Sequence, residues 1–197
     1  MPPVTELTDV RPGLLRWTAR HPDWAADAEP DSPADWPPDV GCVLYEAPTA
    51  TVFFDPLVPE DLWSELDTRV HGRDLPVHVL TTIRWHRRSG PSVLERYAGS
   101  EEAVEGVQQL ALATLGETIF WLPEHRALVP GDRLIGDGDG GVRMCPQSWL
   151  RHLNGPTVDD LRDALQPVLQ LPVELVLLSH GAPVLDRARE ALAMALR

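Results

Sequence analysis

Lysine is absent from the 197-residue chain, so all 17 of its basic residues are arginine. That excludes Schiff-base catalysis and the phosphate-binding loop that needs a lysine. Cysteine is nearly absent too. Cys42 and Cys145 lie far apart and in no metal-like spacing, which excludes a disulfide framework or zinc knuckle and fits two small buried apolar residues. Long hydrophobic runs are missing: stretches such as 173–178 fall well short of the ~20 residues that span a bilayer. The opening MPPVTELTDV has neither a basic leader nor an apolar core, so no secretory signal is expected and the protein is read as cytoplasmic. Net positive charge is also lacking. A formal charge of −13 repels nucleic acid and anionic membrane, and neither is expected as a partner.

What remains is an ordinary globular composition, 43% hydrophobic, at a length suited to one domain over residues 1–197. Residues 14–21 read as a strand. The next stretch, 22–39, holds five prolines and six acidic residues without periodicity, the signature of a surface loop. Its Trp24 and Trp36 either fold back onto the body or form an apolar rim over a site. VGCVLYEA (40–47) and TVFFDP (51–56) predict a hairpin. From Pro59 the spacing of Leu62, Trp63, Leu66 and Val70 predicts a helix that turns Trp63 and Leu66 inward. VHVLTT (77–82), the polar segment RWHRRSG and a second helix, PSVLERYAG, follow in βαβ order.

The second half repeats this order. Strands are predicted at 107–114, 117–123 and 126–132, then a glycine-rich loop at 136–141, helices near 146–153 and 157–167, a strand at 173–179 and a closing helix at 183–196. The runs Val77 to Thr81 and Leu175 to Ser179 are expected as interior strands of two different sheets. Asp137 and Asp139 in GDGDGG lack the ligand-rich pattern of a calcium loop, which favours a turn. Ser179 has no G-x-S-x-G elbow around it, which argues against a serine hydrolase. His21, His71, His78, His125 and His152 are scattered and are assigned to surface or packing.

Three pieces in order resemble the metallo-β-lactamase superfamily: the hairpin VGCVLYEAPTATVFFDP ending at Asp55; HVLTTIRWHRRSG, in the place of the His-x-His-x-Asp-His loop; and ETIFWLPEHRALVPGDRLIG with the later LLSHGAPV. The resemblance implies an α/β fold, a four-layer αβ/βα sandwich. It also implies a cleft between the halves, where family members bind two metals, commonly zinc. At the signature, Thr82 and Arg84 replace the first two histidines, His86 the aspartate and Arg87 the last histidine. Asp132 and His180 match a bridging aspartate and a final histidine, whereas residues 111–116 offer no counterpart to a further one.

Protonated arginine cannot ligate a metal, so the usual pair of ions cannot form. Two readings follow, and the ligand positions favour the first. In the first, the protein is a pseudoenzyme without a cofactor: Thr82, Arg84, Arg87 and Asp132 line a cleft for an anionic small molecule, and Arg84 or Arg87 pairs with Asp132 as its counter-ion. In the second, His86, Asp132 and His180 hold one zinc ion in a reduced site that hydrolyses an ester, thioester or phosphoester. Asp55 supports the loop from behind in either case, or is plain turn chemistry.

Overall fold

The computed structural model describes residues 5–30 and 32–197; residues 1–4, and Asp31 in the acidic stretch, lie outside the described residues. The first sheet contains β1 (Thr8–Arg11), β2 (Leu14–Arg20), β3 (Asp39–Ala47), β4 (Ala50–Phe54) and β5 (Val77–Leu80), in that spatial order. The second runs β11 (Leu175–Val176), β8 (Ala127–Val129), β7 (Glu117–Leu122), β6 (Gln108–Leu112), and β9 (Leu134–Gly136) with β10 (Val142–Met144) forms a separate hairpin.

Period-two alternation builds the layers, because successive strand side chains point to opposite faces. Val43, Tyr45, Val52 and Phe54 face the second sheet, where Phe120, Leu122 and Val129 meet them. Their neighbours Cys42, Leu44 and Phe53 turn the other way, onto Leu62, Leu66 and Val70 of the segment leading through helix α1 (Trp63–Arg73) and onto Val93 of α2 (Gly90–Tyr97). In the second half Ile119, Trp121 and Leu128 pack on Leu161 and Leu165 of α3 (Val158–Leu165) and Leu192 of α4 (Ala188–Ala195). The result is the helix–sheet–sheet–helix sandwich that the resemblance implied. Both cysteines are free and buried.

Two expectations need correction. β5 and β11 do lie in different sheets, but each is the outermost strand of its own. Their apolar runs signal burial on both faces, and an edge strand covered by helices and loops shares that property. Trp63 is only partly buried, with the Arg96 guanidinium over its ring, while Leu66 is fully buried. The helix expected near 146–153 is present as a 3-10 helix, Gln147–Leu153. In the glycine-rich loop the Asp137 carboxylate accepts N–H bonds from Asp139 and Gly141, both at 2.8 Å, so it closes a turn.

Two seams join the halves beneath the cleft. The Gly41 N–H donates to Ser179 O at 2.7 Å and Val40 bridges His180. Arg16 reaches across to Leu178 O and Gly181 O. Gly41 must be glycine here, because a Cβ would fall on the Arg16 guanidinium and Leu178 O. The second seam pairs Ile83 with Glu117, and Thr118 N–H donates to Thr82 O at 2.8 Å. The acidic loop folds over the mouth. Trp24 Nε1 donates to Trp36 O, and Trp149 Nε1 from the second half donates to Ser32 O, each at 2.9 Å.

Candidate functional site

Asp55, His86, Asp132 and His180 are brought together at the floor of the cleft, each buried. Asp55 leaves the end of β4 with φ +48°, a left-handed conformation that a non-glycine residue adopts at a cost of about 1–3 kcal/mol and that clusters at functional sites. That turn lets one carboxylate take Thr82 N–H (2.8 Å), Thr82 Oγ1–H (2.5 Å) and His86 Nδ1 (2.8 Å).

Residues Arg84–Arg87 form one turn of 3-10 helix. At three residues per turn, positions i and i+3 eclipse, so Arg84 and Arg87 share one side and His86 faces another. This overturns the expected arginine counter-ion. Arg87 is exposed and pairs with Glu101, Arg84 is exposed over the Trp85 ring, and neither reaches Asp132. His86 takes that place, with Nε2 3.0 Å from Asp132 Oδ1.

Asp132 follows β8 through Pro130–Gly131, and Glu117, the first residue of β7, fixes this turn from behind. Its buried carboxylate accepts the N–H groups of Gly131 (3.1 Å), Asp132 (2.7 Å) and Arg133 (3.0 Å). Trp85 Nε1 donates to Asp132 Oδ2 at 2.5 Å, while His180 Nε2 lies 3.2 Å from Oδ1. Oδ1 therefore has two imidazole nitrogens close by, yet neither is aligned as a hydrogen bond, and it is a buried acceptor without a directed partner.

Charge follows from these contacts. Burial alone would push the His86 pKa down, but the carboxylates of Asp132 and Asp55 outweigh it and raise it to about 9. Burial likewise opposes ionisation of Asp132, yet His86 and His180 hold it well below the usual carboxylate range. His180 is shifted downward, chiefly by burial, and Glu117 is pushed up to about 7 by burial and by the Asp132 charge.

Among the described residues, His86, Asp132 and His180 are the one group of three ligand-type side chains whose donor atoms lie within 4.8 Å of one another. Two of the separations, 3.0 and 3.2 Å, approach the roughly 3.3 Å edge of a tetrahedron with bonds near 2.0–2.1 Å. His86 Nδ1 is held by a carboxylate, the usual support behind a ligating imidazole. One ion therefore fits this donor set. A second does not, since the Thr82 hydroxyl is bonded to Asp55 and Arg84 points out.

Above the floor is a cleft of about 460 Å³ whose walls include Trp36, Trp85, Trp149, Arg84, Arg88 and His152. The acidic loop contributes His21, Asp23, Pro33 and Trp36, so it forms part of the wall. Several of these residues escaped the sequence reading. His21 and His152 read as surface or packing residues in the sequence, and Glu117 carries no signal because it reads as an ordinary strand residue. Arg88 stood beside the singled-out pair. With φ +34° it spans the floor, donating to Asp55 O (3.1 Å) and Ser179 Oγ (3.0 Å).

Solved metallo-beta-lactamase structures share this architecture. The metallo-beta-lactamase FIM-1 from Pseudomonas aeruginosa in its mono-zinc form superposes with a TM-score of 0.61 at 11% identity, covering 98% of this chain and 94% of that one. A metallo-beta-lactamase from Erythrobacter litoralis gives 0.61 at 12%, covering 98% and 91%. The DIM-1 metallo-beta-lactamase gives 0.61 at 11%, covering 98% and 97%. No family model and no curated protein matches the sequence. The chain has the metallo-β-lactamase fold.

Proposed function

We propose that the cleft is a single-metal hydrolytic site in which His86 Nε2, Asp132 Oδ1 and His180 Nε2 would hold one ion, zinc being the best match to two imidazoles and a carboxylate. The observation that carries this reading is the convergence of the three donor atoms on one buried point where Asp132 Oδ1 lacks a directed hydrogen bond. An ion bound there supplies a Lewis acid and lowers the pKa of a coordinated water. The chain's own residues do the rest. Asp55 fixes the His86 ring, Glu117 fixes the turn that presents Asp132, and the tryptophan walls limit water. An ester, thioester or phosphoester is the substrate class in view, by analogy of fold alone.

One observation favours a second reading. Both His86 nitrogens face carboxylates, so a doubly protonated imidazolium satisfies the same geometry without metal, and the cleft then serves only to bind an anionic small molecule. Calorimetric titration of zinc into chelator-stripped protein separates the two. Micromolar or tighter one-to-one binding, accompanied by proton release from His86 and lost in His180→Ala, is expected. No heat at neutral pH or at pH 9 overturns the metal reading.

A further inference from the structure

We propose that the cleft takes a small acid with a flat apolar body, its anionic end held by Arg84 and its body against Trp85 and Trp36. This rests on the cleft being the working site and names its ligand class, but it does not require the metal.

Arginine supplies the first observation. Three of the chain's 17 arginines, Arg84, Arg88 and Arg133, lie around this one cleft on a protein of net charge −13. Among the described residues the acids of its walls are Asp23 and Asp132, and Asp132 is already engaged by Trp85, His86 and His180. Arg88 donates to Asp55 O and Ser179 Oγ, and Arg133 to Leu115 O, and their remaining unpartnered nitrogens, Arg88 Nε and Arg133 Nη1, are buried. Arg84 is different. It is exposed at the mouth, its guanidinium 5.5 Å from the Trp85 ring centroid, and it has no carboxylate partner among the described residues. A guanidinium without a carboxylate, stacked beside an indole, keeps its fork of donors for an incoming carboxylate, sulfonate or phosphate.

The second observation is the aromatic wall. Trp85 is 41% exposed although its ring is among the largest apolar surfaces of the protein, and its Nε1 is tied to Asp132. Its position is therefore fixed, with Arg84 over the ring and His152 edge-on at 5.0 Å, and the rest of the indole is exposed at the mouth. Trp36, from the acidic loop, packs edge-on against His180. A partly exposed indole fixed in place beside a guanidinium with no carboxylate partner suits a planar ligand carrying one negative group. A neutral flat molecule would forgo Arg84, and a small inorganic anion would forgo the indoles. The positive field agrees with this choice: Arg84 and Arg133 add to burial in lowering the pKa of His152 on the same wall.

The test uses calorimetry on the full chain with 2-naphthoate as probe and 2-naphthylmethanol as its neutral partner, each in chelator and again with zinc. Naphthoate should bind in chelator at least tenfold more tightly than the alcohol. Arg84→Gln, a surface change that leaves the fold intact, should remove most of that preference and leave the alcohol unaffected, while Trp85→Ala should weaken both probes. Equal affinity for acid and alcohol, no binding of either, or a preference retained in Arg84→Gln each overturns the proposal. So does naphthoate binding that appears only with zinc, which would put the acid on the ion. Failure of zinc to bind, with naphthoate still preferred in chelator, rejects the single-metal reading and leaves this one standing.

Discussion

Both nitrogens of His86 lie against carboxylates, and that arrangement gives the site a pH dependence of definite sign. The His86 pKa is raised from 6.5 to about 9, so in metal-free protein its contribution is present in full below about pH 6.5 and is lost as pH rises through 9. Glu117, raised from 4.5 to about 7, acts in the same direction over its own window, because its ionised form is the disfavoured one. These two shifts should therefore lower stability in chelator between pH 6 and pH 9 by roughly 4 kcal/mol, less what the downward shift of His180 returns, and His86→Asn should remove most of the part above pH 7. Denaturant melts at the two pH values check this, and a flat or rising profile would refute the charge assignment. The sequence made His86, Asp132 and His180 legible as one candidate set. It did not show that Arg84 and Arg87 point away, because that depends on three residues per turn in a segment whose helical type no apolar spacing reveals.

The turn between β8 and β9 is held by a side chain from another strand. Glu117 collects three consecutive backbone N–H groups, and a buried donor left unpaired costs about 1–3 kcal/mol. Glu117→Ala should thus destabilise by at least about 3 kcal/mol and weaken zinc binding as Asp132 loses its placement. Glu117→Gln, which keeps an acceptor oxygen, should lose less than half as much; thermal unfolding beside zinc titration would check both. If the two variants are equally unstable, packing and not N–H capture is the role of Glu117. Elements with a strong pattern were legible: the spacing of Leu62, Trp63, Leu66 and Val70 marked α1, and the β-rich runs 40–47 and 51–56 marked the hairpin. The short strands β1, β9 and β10 were not, since three or four residues cannot establish a period. β11 is cut to two residues where the apolar run predicted seven, because its hydrogen-bonding partner β8 is itself only three residues long.

Over the whole molecule, the mouth and the floor of the cleft are held by different means. The acidic loop rests on a few contacts, among them Trp149 Nε1 to Ser32 O and Trp24 Nε1 to Trp36 O. Trp149→Phe should release it at a cost near 1 kcal/mol, seen as faster chymotryptic nicking after Trp24 or Trp36 with little change in melting temperature. Unchanged nicking would show that the loop is held by its own packing. The floor is another matter. His180 is flanked by N–H bonds from Gly41 of the first half, to Ser179 O, and from Gly136 of the second, to its own carbonyl, at 2.7 and 2.8 Å. Freeing that histidine means parting both sheets, so the amides of Gly41 and Gly136 should exchange with solvent deuterium only through near-global opening, while those of the acidic loop exchange through local fluctuation. Whatever enters or leaves the cleft then does so without disturbing that floor, and its residence time is independent of how fast the protein unfolds.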